Sequence, residues 1–359
     1  MSAFHGSDLE KIEEIYGIAK EEIISFAANV SPLGLSEGFI EHMGANLSCI
    51  ERYPERDYRS LREAISGYCK TDYKDIIVGN GSSELIGAVI RYKKAPRAMI
   101  IAPAYSEYER DIKLAGGKVL YFDLKEENDF RLIPDELCDV LDESLDLLII
   151  CNPLNPTSKA VRADEMRGLL KRCEELDIIC VVDETYVDFA DMCYDMSGLT
   201  VEFKSLFVIR SMSKFFCAPG LRLGYALTSD TGLIKEIDSK RDPWSVSSFA
   251  EAAGAYMLSD EDYIRKVKKY ISDERKRVCE RLSELTGIKY YEPAANFVLV
   301  KLPADKITAD RLFEAAIKEK MMIRDCSSFR GLDESFIRFC FMSKEDDDKL
   351  LNLMREVII

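Results

Sequence analysis

Lys214 stands behind two small hydroxyls, Ser211 and Ser213, in the stretch SMSKFFCAPGLRLGY, and Arg222 follows in a Pro-Gly turn that leads into an apolar run. An ε-amine among Phe215, Phe216 and Cys217 is disfavoured in its charged form, so its pKa falls and it becomes a usable nucleophile and base. Two hydroxyls and a guanidinium nearby suit a phosphate dianion. Amine and phosphate cradle together point to pyridoxal 5'-phosphate carried on the lysine as a Schiff base. The plain alternative for this segment is a surface lysine in a serine-rich turn.

Four further segments fit the same chemistry. GNGSSE, residues 79–84, is expected to follow a strand and open a helix. Its glycines let the backbone come close, and the amides of Ser82 and Ser83 would face an anion at the helix N-terminus. Alone, such a turn also reads as a helix cap. VVDETYVDF sets Asp183 at the end of a buried strand, where a carboxylate can pair with the pyridine nitrogen and keep it protonated. Tyr186, three residues on, and Asn155 in CNPLNPTS can each donate a hydrogen bond to the ring's phenolic oxygen. Tyr105 in PAYSEY can stack on the ring, although alone it reads equally well as a partly buried loop aromatic. Asn-Pro and Asp are common in strand-end turns. Three adjacent strand ends converging on one ring weaken that plainer reading.

The elements that position these residues alternate along the chain. Strands are expected at Ile76–Gly79, Ala98–Ala102, Val119–Asp123, Leu145–Cys151, Ile178–Asp183, Leu206–Arg210 and Leu223–Leu227, with helices between several of them, such as Ala163–Leu176. Near-continuous Ile/Val/Leu strands alternating with helices predict an α/β fold: a mostly parallel seven-stranded sheet covered on both faces, with function at the strands' carboxyl ends. After Ser247 a long charged helix is expected over Asp260–Leu285. Short strands (Phe297–Leu302, Met321–Arg324, Phe336–Phe341) and helices (Ala309–Lys318, Lys344–Val357) then predict a smaller α+β domain. The expected division is an N-terminal segment, 1–45, packing with the small domain or a partner subunit, a cofactor-binding domain, 46–246, and an interdomain helix with the small domain, 247–359.

Composition narrows the function classes. With 47% hydrophobic and 31% charged residues the chain reads as an ordinary soluble protein. No apolar run approaches the ~20 residues that cross a bilayer, and the acidic N-terminus lacks the layout of a signal peptide. Cytoplasmic residence is the expectation. Eleven cysteines, an odd number without a CxxC pair, suit free thiols in a reducing compartment. Two histidines, His5 and His42, leave a histidine-rich metal site or a Ser-His-Asp triad almost nothing to work with. A net charge of −15 repels nucleic acid and anionic membranes. An anionic substrate would therefore need local clusters of arginine.

The segments NPLNPT, DETY and SMSK…PGLRLGY, in that order, resemble the signatures of the fold-type-I pyridoxal-phosphate enzymes of the class I/II aminotransferase group, and the resemblance spans nearly the whole chain. It implies an aspartate-aminotransferase-like fold, with Lys214 as the Schiff-base lysine and Asp183 on the ring nitrogen. It also implies Asn155 and Tyr186 on the ring oxygen, Tyr105 stacked, and Ser82, Ser83, Ser211, Ser213 and Arg222 around the phosphate. Ser158 departs from the glycine usual after NPT.

Within that group the chain is similar to the histidinol-phosphate aminotransferases and, more closely, to the threonine-phosphate decarboxylases of cobalamin biosynthesis, through FHGS, FAANVSPLG, CIERYPERDY and DPWSV. This resemblance implies a homodimer with shared sites, in which Tyr53 reaches the partner's cofactor phosphate. It assigns Arg324 and Arg338 to substrate anions and His5 to a phosphate contact, and it draws Asn29 and Gly34 of FAANVSPLG to the substrate pocket. Ser31 replaces an asparagine usual in the decarboxylases. Taken as residues alone, the two arginines also read as surface ion-pair partners and His5 as a solvated terminal side chain. The implied reaction is decarboxylation of a small phosphorylated amino acid, L-threonine O-3-phosphate. The alternative is transamination of a histidinol-phosphate-like donor with 2-oxoglutarate.

Overall fold

A computed structural model describes residues 9–358. Its strands are β1 (Ile24–Ser25), β2 (Ile76–Gly79), β3 (Arg97–Ala102), β4 (Lys118–Asp123), β5 (Leu147–Cys151), β6 (Ile179–Asp183), β7 (Leu206–Ser211), β8 (Gly224–Leu227), β9 (Lys289–Tyr291), β10 (Phe297–Lys301), β11 (Met321–Met322), β12 (Arg324–Asp325) and β13 (Phe336–Cys340). The large sheet runs in the order β2-β8-β7-β6-β5-β3-β4. Its four pairings from β7 to β4 are parallel, while β8 lies antiparallel to both its neighbours. Every residue of β5, β6 and β7 is buried, as strands covered by helices on both faces require. Register sets Cys151 opposite Asp183 and Asp183 opposite Ile209, so the chemistry-bearing ends of β5, β6 and β7 lie side by side.

A four-stranded antiparallel sheet, β12-β13-β10-β9, makes the second layer system. The helix Glu261–Ser283 leads into it, and Tyr270 on that helix donates to the Met342 carbonyl at 2.8 Å. The N-terminal segment joins the same half. β1 pairs in parallel with β11, Tyr16 donates to Glu314 at 2.6 Å, and the Cys340 amide donates to the Phe26 carbonyl at 2.9 Å.

Two expected elements differ. The strand expected over Met321–Arg324 is two, because the chain passes between sheets at Ile323: β11 pairs with β1 and β12 with β13. The helix expected from Ala163 starts at Arg167. The Ala163 amide is drawn out to the Cys193 carbonyl at 2.8 Å, which leaves the preceding residues in turns. Among the described residues no helix is long and apolar enough to cross a membrane.

Directly beneath the strand ends lies a buried ion pair. Arg210 donates from Nε and Nη2 to one oxygen of Glu184 at 2.9 and 2.8 Å, and Glu184 also accepts the Met196 amide at 2.7 Å. The two residues adjoin Ser211 and Asp183 in sequence, so the pair braces the two strand ends that carry them. Without Glu184 the buried Arg210 guanidinium keeps Asp195 but loses its fully buried counter-ion, and the Met196 amide loses its acceptor. Glu184→Ala is expected to cost about 3 kcal/mol, read as a lowered denaturant midpoint at unchanged m-value.

Candidate active site

The strand ends open on a cavity of about 580 Å³ between the two halves. Lys214, Asp183, Asn155, Tyr186, Tyr105, Ser82, Ser83, Ser211, Ser213, Arg222, Arg324 and Arg338 all line it.

Lys214 follows β7 by three residues and is held at both ends by residues 28–31. Its Nζ donates to the Ala28 carbonyl at 2.7 Å, and its own carbonyl accepts the Ser31 amide at 2.9 Å. Burial, and then the nearby charges of Arg338 and Arg222, bring the amine down from 10.5 to about 8. The sign of the linked stability follows. Below pH 8 folded and unfolded chains both carry the proton, and folding bears the whole cost. Between 8 and 10.5 the folded amine has lost a proton that the unfolded one keeps, so stability rises with pH. In cofactor-free protein, Lys214→Met is expected to be more stable than wild type at pH 7 by at most about 3 kcal/mol, less where cavity water reaches the amine. That gap should close as pH approaches 10.5, as measured by denaturant titration at several pH values.

Asp183 lies opposite the amine's strand end, buried. Tyr108 donates to its Oδ2 at 2.6 Å, and Thr185 donates to its Oδ1 from Oγ1 at 2.6 Å and from the backbone at 3.0 Å. Burial pushes this carboxyl up, and the three donors oppose the shift by stabilising the anion. Tyr108 was missed from sequence. Its signal is the second tyrosine of PAYSEY, one turn after Tyr105, which the helix Ser106–Leu114 turns into the core. The two rings meet edge to face at 5.7 Å.

The anion end is assembled from three elements. The helix Ser82–Ile90 has Gly81 as N-cap and no side-chain cap, so its first amides are left for another acceptor. The Ser211 and Ser213 hydroxyls lie 2.7 Å apart, and Arg222, in a left-handed conformation after the Pro-Gly turn, lines the same cavity with its guanidinium against Gly81. Close approach is built in: a Cβ at Gly81, itself at φ +82°, would lie 2.5 Å from Arg222 Nη2, and one at Gly224 would lie 2.6 Å from the Ser82 nitrogen. Only glycine at both positions lets guanidinium, helix terminus and hydroxyls share one concavity.

At the other end Arg338 is buried, donates to the Ala27 carbonyl at 2.7 Å and to Asn155 Oδ1, and stands 5.5 Å from the Phe297 ring centre. Its Nε is buried and has no hydrogen-bond partner. Asn155, with its oxygen engaged, turns its amide nitrogen the other way. Arg324 donates to Ser328 at 2.9 Å and lies 5.3 Å from the Phe329 ring centre. Burial pushes the Tyr186 phenol upward and Tyr105 to about 12, so both stay protonated donors.

Other expected site residues sit elsewhere. Gly34 lies off the cavity, its carbonyl accepting from Tyr263 at 2.5 Å. Asn29 is buried at φ +54°, its carbonyl accepting from Asn296 at 3.1 Å, and its side chain lies beside the Tyr186 phenol. Tyr53 is 80% exposed, stacked obliquely at 4.8 Å on Trp244, and absent from its own chain's cavity. His5 lies outside the described residues. Ser158, at φ +59°, accepts the Ala295 amide on its Oγ at 2.9 Å, a bond no glycine could make.

A recessed lysine, a carboxylate at a strand end and an anion cradle under a glycine-lined helix terminus are the parts that a pyridoxal-phosphate site needs, and they fit that group. The sequence model of the aminotransferase class I and II family matches residues 21–354. The chain belongs to that family. It is 37% identical over 91% of its length, and 88% of the relative's, to a Caldanaerobacter subterraneus protein that bears the provisional name threonine-phosphate decarboxylase. It is 30% identical to the threonine-phosphate decarboxylase of Salmonella typhimurium over 99% of this chain and 96% of that one. The crystal structure of the histidinol-phosphate aminotransferase from Clostridium acetobutylicum superposes with a TM-score of 0.87 at 32% identity, covering 92% of this chain and 98% of the other. The aspartate-aminotransferase-like architecture expected from sequence is the architecture found.

Proposed function

We propose that this protein binds pyridoxal 5'-phosphate through Lys214 and decarboxylates a small phosphorylated amino acid, L-threonine O-3-phosphate. The observation that carries this reading is one cavity with an anion cradle at one end, two arginines at the other and a depressed lysine between them. The names of the relatives support the substrate class. The residues that would hold the cofactor are Ser82, Ser83, Ser211, Ser213 and Arg222 on its phosphate, Asp183 on the ring nitrogen, and Asn155 and Tyr186 on the ring oxygen. When bound, it supplies an electron sink conjugated to the amino acid's α-carbon.

The chain's part is to orient and to move a proton. Arg338 and Arg324 suit the substrate's two anionic groups as forked donors, better than lysines would. How they hold those groups sets which α-substituent is broken. With the carboxylate turned to the cleavage position, carbon dioxide leaves and Lys214 gives a proton to the α-carbon, yielding an aminopropanol phosphate. With hydrogen there, the Lys214 amine removes it, which begins transamination. The aminotransferase reading is favoured by the close superposition on a histidinol-phosphate aminotransferase. Parallel measurement of carbon dioxide and glutamate separates the two. Keto-acid-independent carbon dioxide release from threonine phosphate is expected, and strict dependence on 2-oxoglutarate with threonine phosphate inert would sink the decarboxylase.

The proposed assembly is a homodimer with shared sites. Tyr53, exposed and away from its own cavity, and the exposed Ile40, Leu47 and Ile50 support a second copy of this chain against that face. Mixing Tyr53→Ala protein with Lys214→Ala protein should produce hybrid dimers with one restored site. A mixture as inactive as its components contradicts shared sites.

A further inference from the structure

Three carboxylates at three-residue spacing close the β4 edge of the large sheet, and each takes a cation from the C-terminal half. Asp129 takes Lys289 at 2.7 Å, and Glu126 takes Lys301 at 2.8 Å together with the Tyr291 hydroxyl at 2.8 Å. Asp123 takes Arg330 in a two-point fork, Nε to Oδ1 at 2.5 Å and Nη2 to Oδ2 at 2.8 Å. The two lysines stand on β9 and β10. Arg330 does not stand on a strand. It sits in loop 326–332 between β12 and β13, whose Ser328 and Phe329 form part of the cavity wall.

The loop's other ties are local: the Ser327 amide on Asp325 Oδ1 at 2.8 Å, and Arg324 on Ser328 at 2.9 Å and over Phe329. Cys326 and Leu332 are its buried ends, whereas Ser327, Ser328, Arg330 and Gly331 are exposed. Its turns are closed by the Phe329 amide on the Cys326 carbonyl at 2.9 Å and the Leu332 amide on the Phe329 carbonyl at 3.0 Å. Ordinary surface ion pairs contribute almost nothing. This one differs in geometry: the fork is bidentate, and the guanidinium lies 4.4 Å from the Tyr121 ring centre.

We propose that Arg330 is a positioning residue: gripping Asp123 across the gap between the halves, it holds Ser328 and Phe329, and through them Arg324, where the substrate's anionic end binds. The inference rests on the assignment of Arg324 to substrate recognition. Lys289 and Lys301 serve as internal controls, because they tie strands rather than the cavity wall.

Hydrogen exchange of the Phe329 and Leu332 amides in the full chain tests the tie without substrate, and steady-state kinetics of the loaded enzyme with threonine phosphate test its use. Arg330→Ala and Asp123→Ala should each speed exchange roughly five- to tenfold and raise KM roughly three- to tenfold at nearly constant kcat. Lys289→Ala should leave both unchanged. The charge swap, Arg330→Asp with Asp123→Arg, should recover most of both effects. Unchanged exchange in the two single variants, or a swap that recovers nothing, overturns the tie. Faster exchange with an unaltered KM overturns the positioning role. If wild type does not turn over threonine phosphate, the proposed reaction fails, and the exchange comparison alone decides whether the tie exists.

Discussion

Lys214→Ala should lose turnover by about 10⁴-fold or more, the largest effect expected of any single change. Two losses combine. On the proposed reading the amine that would join the cofactor is gone, and so is the group that would move a proton at the α-carbon. Ala28 and Ser31 hold Lys214 by its two ends, so the side chain works from one fixed position. Lys214→Arg should be equally inactive, because a guanidinium neither adds to an aldehyde nor releases its proton near neutral pH. The check is kcat alongside the visible absorbance of protein desalted after loading. Wild type should keep its colour and the variants should lose it, and a small soluble amine should restore a fraction of turnover to the alanine variant.

Asp183→Asn is expected to lower kcat by roughly 10²–10³ with little change in fold, since the two side chains share a shape. The carboxylate is fixed by three donors, from Tyr108 and Thr185, and an asparagine would have to turn its NH2 toward one set of them. On the proposed reading the variant therefore loses the negative partner that the ring nitrogen would have, and also misorients what remains. Kinetics of fully loaded protein with the thermal unfolding midpoint measured in parallel distinguish this from simple destabilisation. A kcat within threefold of wild type at equal loading would remove Asp183 from its role.

Much of this site was legible in sequence because each part is a short segment at a strand end. Asp183, Asn155 and Ser211 follow runs of buried aliphatic residues, and in a parallel sheet the ends of neighbouring runs come together whatever their separation along the chain. What stayed hidden depends on packing between segments far apart. Tyr108 became visible as a partner of Asp183 only when its helix, packed on β3 and β4, brought the phenol to the end of β6. No local pattern shows that Ala28 would give Lys214 its carbonyl, or that Arg330 would find Asp123, since each contact needs the two halves already assembled. The split of Met321–Arg324 into β11 and β12 has the same cause, because four consecutive apolar or basic residues do not reveal a change of sheet. Ser158, in place of the glycine usual after NPT, is a departure whose effect no local pattern shows. The structure gives it a bond to Ala295, so it ties the NPLNPT loop to the segment before β10.

The pairing of β1 with β11 also has a consequence for synthesis. Ala28 and Ser31, which hold the reactive lysine, directly follow β1, and the strand that β1 pairs with lies roughly 300 residues further along the chain. A growing chain can form the large sheet and still lack the wall against which Lys214 is desolvated. Its amine should then keep the basicity of any exposed lysine until β11 has been made and paired, so a half-made polypeptide reacts less readily with free aldehydes than the folded site does.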